Sequence, residues 1–352
     1  MRLKHRFLMP KLCCILLFLY YTQAAIANPS IIVPGLEEPL VSLSDTATPD
    51  DDLQEMINGY QRGEDPENLL TDYHQAQPNS PWQASIQLNL GLLYYQRGYF
   101  SQAIIAFEQA WQLSQAATGR HQKAMADRAF AELIRMHARL GHATELSALL
   151  DDIQHRRLTG QATEAVAGAR EALWLMQNEP GFAFLCGPKA LQSILQHTRP
   201  QSTGINTLLN VRSDPTGLNL HAVEQLSATV GLSYRAVYRT GTQPIPTPAV
   251  IHWKLNHYAA VIADKDGFYH IQDPTFGQDL WISHAALNAE SSGYFLIPPD
   301  TNMTGWRDVP AAEAEQIYGK GVTQNNNPDR TRPDDNKSKD CGCDSDKQAM
   351  VT

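Results

Sequence analysis

Residues 248–277 read PAVIHWKLNHYAAVIADKDGFYHIQDPTFG. Three apolar runs of strand length lie in it, 248–254, 257–264 and 267–272, rich in Val, Ile, Tyr and Trp. Asp266-Gly267 separates the last two and is a hairpin signal, because the favoured two-residue turn needs positive φ at both central positions. Centred there, the turn sets His257 opposite Asp273 with Cβ atoms about 5 Å apart. A carboxylate beside an imidazole fixes the ring's tautomer and orientation. The stretch therefore predicts an antiparallel hairpin with a histidine–aspartate pair at its open end, while Tyr258, Ala260 and Ile262 point to the other face. His252, inside the preceding run, reads as a packing histidine, and His270 as the weaker third choice for a base.

Further strand-like runs at 233–239, 279–282 and 293–297 extend this sheet, and helical patterns at 187–197 and 219–230 precede it. Helices first and an antiparallel sheet afterwards predict an α+β domain. At the head of the first helix stands GFAFLCGPKAL, residues 181–191. Gly187-Pro188 suits a helix start, and the positive end of a helix favours thiolate over thiol at Cys186. A lone buried cysteine is usually a small hydrophobe. With His257 and Asp273 downstream, Cys186 reads as a nucleophile with its base and orienting carboxylate.

Upstream, SIQLNLGLLYYQRGYFSQAIIAFEQAWQL (85–113) places Leu90-Gly91, Tyr94, Gly98, Ala103, Phe107 and Ala110 at the offsets of a tetratricopeptide unit. A degenerate second pair follows: Met125, Ala129, Leu133, Met136 and Leu140, then Leu146, Leu149, Leu150 and Ile153, broken at Gly141. A last helix covers about 161–176. Such helical repeats bind a partner or pack on a neighbouring domain, and no chemistry is assigned to them.

The chain has 352 residues, 43% hydrophobic and 18% charged, with a net charge of −9. That length allows two domains, and the absence of a basic stripe disfavours nucleic-acid binding. Arg2, Lys4, Arg6 and Lys11 precede a short apolar core, Leu12–Tyr21, and Ala25-Ile26-Ala27 offers a signal-peptidase site. The protein reads as exported, periplasmic or extracellular, with a membrane contact only if that segment stays uncleaved. Cys341-Gly342-Cys343 lies in a polar tail and is no metal site by itself. Neither metal nor organic cofactor is expected, since no ligand-spaced cluster or glycine-rich phosphate loop is present. The expected layout is a signal peptide at 1–27, a linker at 28–50, tetratricopeptide-like helical repeats at 51–174, an α+β domain at 175–300, which the resemblance described next makes a papain-like cysteine peptidase domain, and a mostly disordered tail at 301–352.

CGPKAL followed by PAVIHWKLNHYAAVIADKDGFYHIQDPTFG resembles cysteine peptidase family 39, the papain-like peptidases that remove double-glycine leaders from bacteriocin precursors. The resemblance covers about residues 175–298 and implies Cys186 as nucleophile, His257 as general base and acid, and Asp273 as orienting carboxylate. It departs from the family at Leu185, where an acidic residue is usual, and at Pro180, where the family has its oxyanion-hole glutamine; the nearest upstream amides, Gln177 and Asn178, are then the candidate oxyanion donors. The function implied is hydrolysis of a polypeptide substrate, with a protein partner on the repeats. Two alternatives stand beside it: an inactive peptidase-like binding module, and a transglutaminase-like acyltransferase with the same Cys-His-Asp chemistry.

Overall fold

A computed structural model of the chain describes residues 30–276, 278–302 and 304–323. The signal segment and Cys341-Gly342-Cys343 lie outside the described residues. Seven helices open the fold: α1 Asp51–Gln61, α2 Pro66–Ala76, α3 Gln83–Arg97, α4 Phe100–Ser114, α5 Arg120–Arg139, α6 Ala143–Asp152 and α7 Gln161–Asn178. Their ends follow local chemistry. The Asp50 carboxylate accepts the Leu53 N–H at 2.7 Å to cap α1, and Pro66 opens α2 behind the capping Asp65. Gly98 ends α3 in the left-handed region at φ +84°. In the α3–α4 hairpin Gly91 faces Phe107 so closely that a Cβ would stand 2.5 Å from the ring.

Residues 30–50 differ from the extended linker that the sequence predicts for 28–50. Strand β1, Ser30–Ile31, pairs with β2, Leu40–Val41, and Leu40 and Val41 are buried. Asn89 of α3 holds this hairpin through both halves of its amide, accepting from Glu38 N–H and donating to Glu38 O, each at 3.1 Å. Buried apolar side chains and a satisfied backbone anchor a segment whose composition alone reads as loose.

The second half is built on one seven-stranded antiparallel sheet. After β3, Leu218–Asn219, its members are β4 Arg235–Arg239, β5 Ala249–Trp253, β6 His257–Lys265, β7 Phe268–Asp273, β8 Gln278–Ser283, β9 Ser291–Ile297 and β10 Trp306–Asp308. They lie in the order β10-β4-β9-β5-β6-β7-β8. Between α7 and the sheet come α8 Pro180–Ala183, α9 Cys186–Thr198, α10 Gly204–Leu209 and α11 Leu220–Thr229, with α12 His284–Glu290 following β8.

Both faces of the sheet are covered. Along β5, Ala249, Ile251 and Trp253 join the core shared with the helical repeats, whereas Val250 joins the core under α9 and α11. Period-two alternation thus divides one fully buried strand between two cores. The helical half is docked at the α3–α4 turn. Phe100 stacks on Phe276 at 4.4 Å and meets Trp253 edge-on at 5.8 Å. Ser101 gives Glu290 two hydrogen bonds, from its backbone N–H at 2.9 Å and its hydroxyl at 2.7 Å.

Residues 304–323, which fall in the expected tail, are instead folded. Strand β10 closes one edge of the sheet, α13 (Ala311–Ala314) follows, and β11 (Tyr318–Gly319) pairs antiparallel with β3. Trp306, Val309, Ala314 and Val322 are buried there. These few apolar residues, scattered among charges, give no periodic signal, which is why composition alone hides an ordered segment.

Candidate active site

Cys186 is the first residue of α9, with Leu185 as its N-cap and no side-chain cap. Gly187 lets this helix end approach its neighbours: a Cβ there would lie 2.6 Å from Val223 of α11 and 3.5 Å from Tyr258 of β6. Helix α9 therefore lies hard on the sheet, and the thiol is fully buried. The N–H groups of a helix's first turn have no intrahelical acceptor, so they and the helix dipole favour negative charge at this spot.

His257 opens β6 directly after Asn256, which takes φ +54° in the turn from β5. Its Nε2 lies 2.7 Å from Asp273 Oδ2, and both side chains are completely buried. Asp273 Oδ1 accepts the backbone N–H groups of Thr275 and Phe276 at 2.9 and 3.0 Å, so the Asp-Pro-Thr-Phe turn locks the carboxylate. With Nε2–H committed to Asp273, Nδ1 is the free nitrogen of the ring. The Thr275 hydroxyl lies 3.2 Å from it. Burial pushes the His257 pKa down. The charge and hydrogen bond of Asp273, then the hydrogen bond and charge of Cys186, push it up, and it stands at about 9. The site thus favours the protonated imidazole at His257.

The hairpin achieves this pairing by a register other than the predicted one. Asp266 and Gly267 take φ +52° and +83° as the two central turn residues, so Lys265 pairs with Phe268. A bulge between Val261 and Ala263 then shifts the ladder, and Ala260 pairs with Gln272. Asp273 falls beyond that pair, diagonal to His257 rather than opposite it. Diagonal neighbours share a face and stay within side-chain reach.

The other candidates separate clearly. His252 is buried, with Nε2 2.8 Å from the Tyr318 carbonyl and Nδ1 2.8 Å from Ser292 Oγ. Burial, only partly offset by the Tyr318 carbonyl, takes its pKa down to about 4, so it is a neutral structural residue. His270 stacks on Trp281 at 4.8 Å and faces Asp279, away from the thiol. Gln177 and Asn178 end α7 in solvent, and the Asn178 amide donates to Trp174 O at 2.8 Å. Neither joins the buried site: α7 runs its last turn outward and α8 intervenes before Cys186.

Three contributors escape a sequence reading. Thr275 and Phe276 touch His257, the latter edge-on at 5.6 Å. The helical repeats reach the same wall, where Tyr95 meets Phe276 at 5.7 Å and its hydroxyl accepts from Arg139 at 2.7 Å. Residues Gly319–Gly321 lie over the thiol and imidazole and complete their burial. A strand-end DPTF and a Gly-x-Gly were the only signals available, and neither specifies a neighbour.

Residues 185–302 match the sequence model described as the Peptidase C39 family. Among solved structures, a double glycine motif protease from an AMS/PCAT transporter, in complex with the leader peptide, is 22% identical. That match covers 32% of this chain and 81% of the other, with a TM-score of 0.28. No curated protein matches the chain. Cys186, His257 and Asp273 all lie within the segment that is similar to the Peptidase C39 family.

Proposed function

We propose that the chain is an exported cysteine peptidase that hydrolyses a polypeptide, with Cys186 as nucleophile, His257 as general base and acid, and Asp273 as the carboxylate that orients it. One observation carries this reading: the fully buried His257–Asp273 pair, 2.7 Å apart, turns its remaining imidazole nitrogen toward the thiol at a helix N-terminus. The thiolate adds to a peptide carbonyl, and the oxyanion is met by backbone N–H groups at the head of α9. The imidazolium gives its proton to the departing amine. Water, activated by His257, then releases the acid from the thioester. The helical repeats form one wall beside His257 through Tyr95 and present the polypeptide from that side. Export rests on the N-terminal residues 1–27, and N-terminal sequencing of the exported protein should read from Asn28.

A second reading, a peptidase-like binding module without turnover, is favoured by the outward course of Gln177 and Asn178, since losing one oxyanion donor costs about 10²–10³ in rate. Incubation with a peptide library, read by mass spectrometry with and without an amine acceptor, separates the possibilities. Hydrolysis products that vanish in Cys186→Ala are expected. Amide products with the added amine would make the protein an acyltransferase, and no turnover of any peptide would leave the binding module standing.

A further inference from the structure

Cys186 and His257 lie under a strand that the chain lays across them after α13, and neither side chain is exposed. The root of that strand is fixed at Ile317, whose carbonyl accepts from the Leu220 N–H and the Tyr258 hydroxyl, each at 2.8 Å. Beyond the root, the strand is held down by its own N–H groups. Lys320 donates to the Asn256 carbonyl at 2.8 Å, Val322 to the Arg139 carbonyl at 2.7 Å and Thr323 to the Ala183 carbonyl at 3.2 Å. Its ladder with β3 is two residues long, and Val322 supplies its buried apolar side chain.

Two glycines let the strand lie so close. A Cβ on Gly319 would stand 3.1 Å from Cys186 Sγ and overlap the Tyr258 ring. One on Gly321 would stand 3.1 Å from Cys186 Cβ and overlap the His257 imidazole and the Thr275 hydroxyl. No room is left above the thiol for a second chain. The carbonyls of Tyr318, Gly319 and Lys320 meanwhile face other partners. Tyr318 O accepts from His252 Nε2 at 2.8 Å, while Gly319 O and Lys320 O lie against Gly217 and Gly141, where a Cβ would overlap them. The strand is held as a cover, with these carbonyls committed elsewhere.

Resting on the peptidase reading above, we propose that Tyr318–Thr323 is a strap that keeps the cysteine site shut, and that an extended polypeptide enters by taking its place. Lifting the strap uncovers Cys186 and His257. It also frees the carbonyls of Asn256, Arg139 and Ala183, which then accept N–H groups of the incoming chain. The strap is suited to lift, because a segment held by few backbone bonds and little buried apolar surface opens well below the cost of global unfolding. The root at Ile317 keeps it at hand to close again. By linkage, a group bound at the thiol must loosen the strap as much as the strap hinders that group.

Iodoacetamide and hydrogen exchange, applied to the full chain, test this. Wild-type protein alkylated at Cys186 has no space for the strap. Amide exchange across 318–323, read by mass spectrometry, should then be about ten-fold faster or more than in the untreated chain, with the β6–β7 hairpin unchanged. Lys320→Pro removes the N–H given to Asn256. It should raise both the alkylation rate of Cys186 and the hydrolysis of added peptides about ten-fold or more, whereas Lys320→Ala keeps that N–H and should label like the wild type. The wild-type exchange comparison decides the matter even if the proline variant does not fold. An adduct that leaves exchange across 318–323 unchanged, or alkylation no faster in Lys320→Pro than in wild-type protein, overturns the strap. If peptides are still hydrolysed in that case, the peptidase reading stands without it. Faster exchange and faster alkylation with no peptide turned over by any of these proteins keep the strap and overturn the peptidase reading.

Discussion

Two segments close on Cys186, and they do so by different means. The β6–β7 hairpin brings side chains: His257, Asp273 and, just beyond β7, Thr275. The strand Tyr318–Thr323 brings only backbone, threaded past the thiol on Gly319 and Gly321. Each segment also holds one buried histidine in a different state. His257 is paired with a carboxylate and its pKa stands at about 9, whereas His252 is paired with the Tyr318 carbonyl and stands at about 4. Five residues apart, one ring is built to carry a proton and the other to stay neutral. The partner, more than the depth of burial, decides which.

The comparison can be broken first on the hairpin side. Asp273→Asn leaves the shape of the turn but removes the charge that orients and protonates His257. A fall in kcat of about 10²–10⁴ is expected, measured on peptide hydrolysis, with the thermal transition still cooperative. An unchanged kcat would mean that His257 does not depend on the carboxylate.

The joint between the hairpin and the helical repeats is the next test. Phe100 is buried against Phe276 and Trp253, and truncation of such a ring removes both its transfer free energy and its packing contacts. Phe100→Ala should cost about 3–5 kcal/mol in urea unfolding, followed by circular dichroism for the helices and tryptophan fluorescence for the sheet. Coincident transitions for both probes are expected, because the two halves share one core. A separate, unshifted sheet transition would contradict that.

The two histidines give the smallest effect and the sharpest contrast, of a few kcal/mol at most. The folded pKa of His257 lies above the ordinary value of 6.5, so its contribution is complete below pH 6.5 and is lost as pH rises through about 9. The folded pKa of His252 lies below 6.5, so the unfolded chain takes up its proton first, and stability is lost as pH falls from 6.5 towards 4. His257→Gln should flatten the alkaline limb of stability against pH, and His252→Gln the acid limb. If both variants acted on one limb, the assigned protonation states would be wrong.

The hairpin could be read from sequence because its signals are local and typed. Asp266-Gly267 dictates a two-residue turn, and Tyr258, Val261 and Ile262 mark β6 as a strand. Its register could not be read so finely, since the bulge between Val261 and Ala263 carries no composition of its own. The helix hairpin α3–α4 was legible for the same reason as the hairpin turn: Gly91 and Phe107 stand where only a small residue and a ring can meet. The strand over the site was not legible. Gly319 and Gly321 there provide room and backbone bonds, and a glycine in a sequence says nothing about what lies against it. Gln177 and Asn178 misled in the opposite way, as residues of the right type at a helix end that points to solvent.

Reaction of the thiol itself is the most direct test of the central claim that Cys186 is a nucleophile activated by His257. The full chain is treated with a thiol-directed, peptide-like electrophile and the adduct is located by mass spectrometry. A single adduct on Cys186 is expected in wild-type protein and is lost in His257→Ala. Labelling that persists in His257→Ala, or that never appears on Cys186 of wild-type protein, would contradict the account.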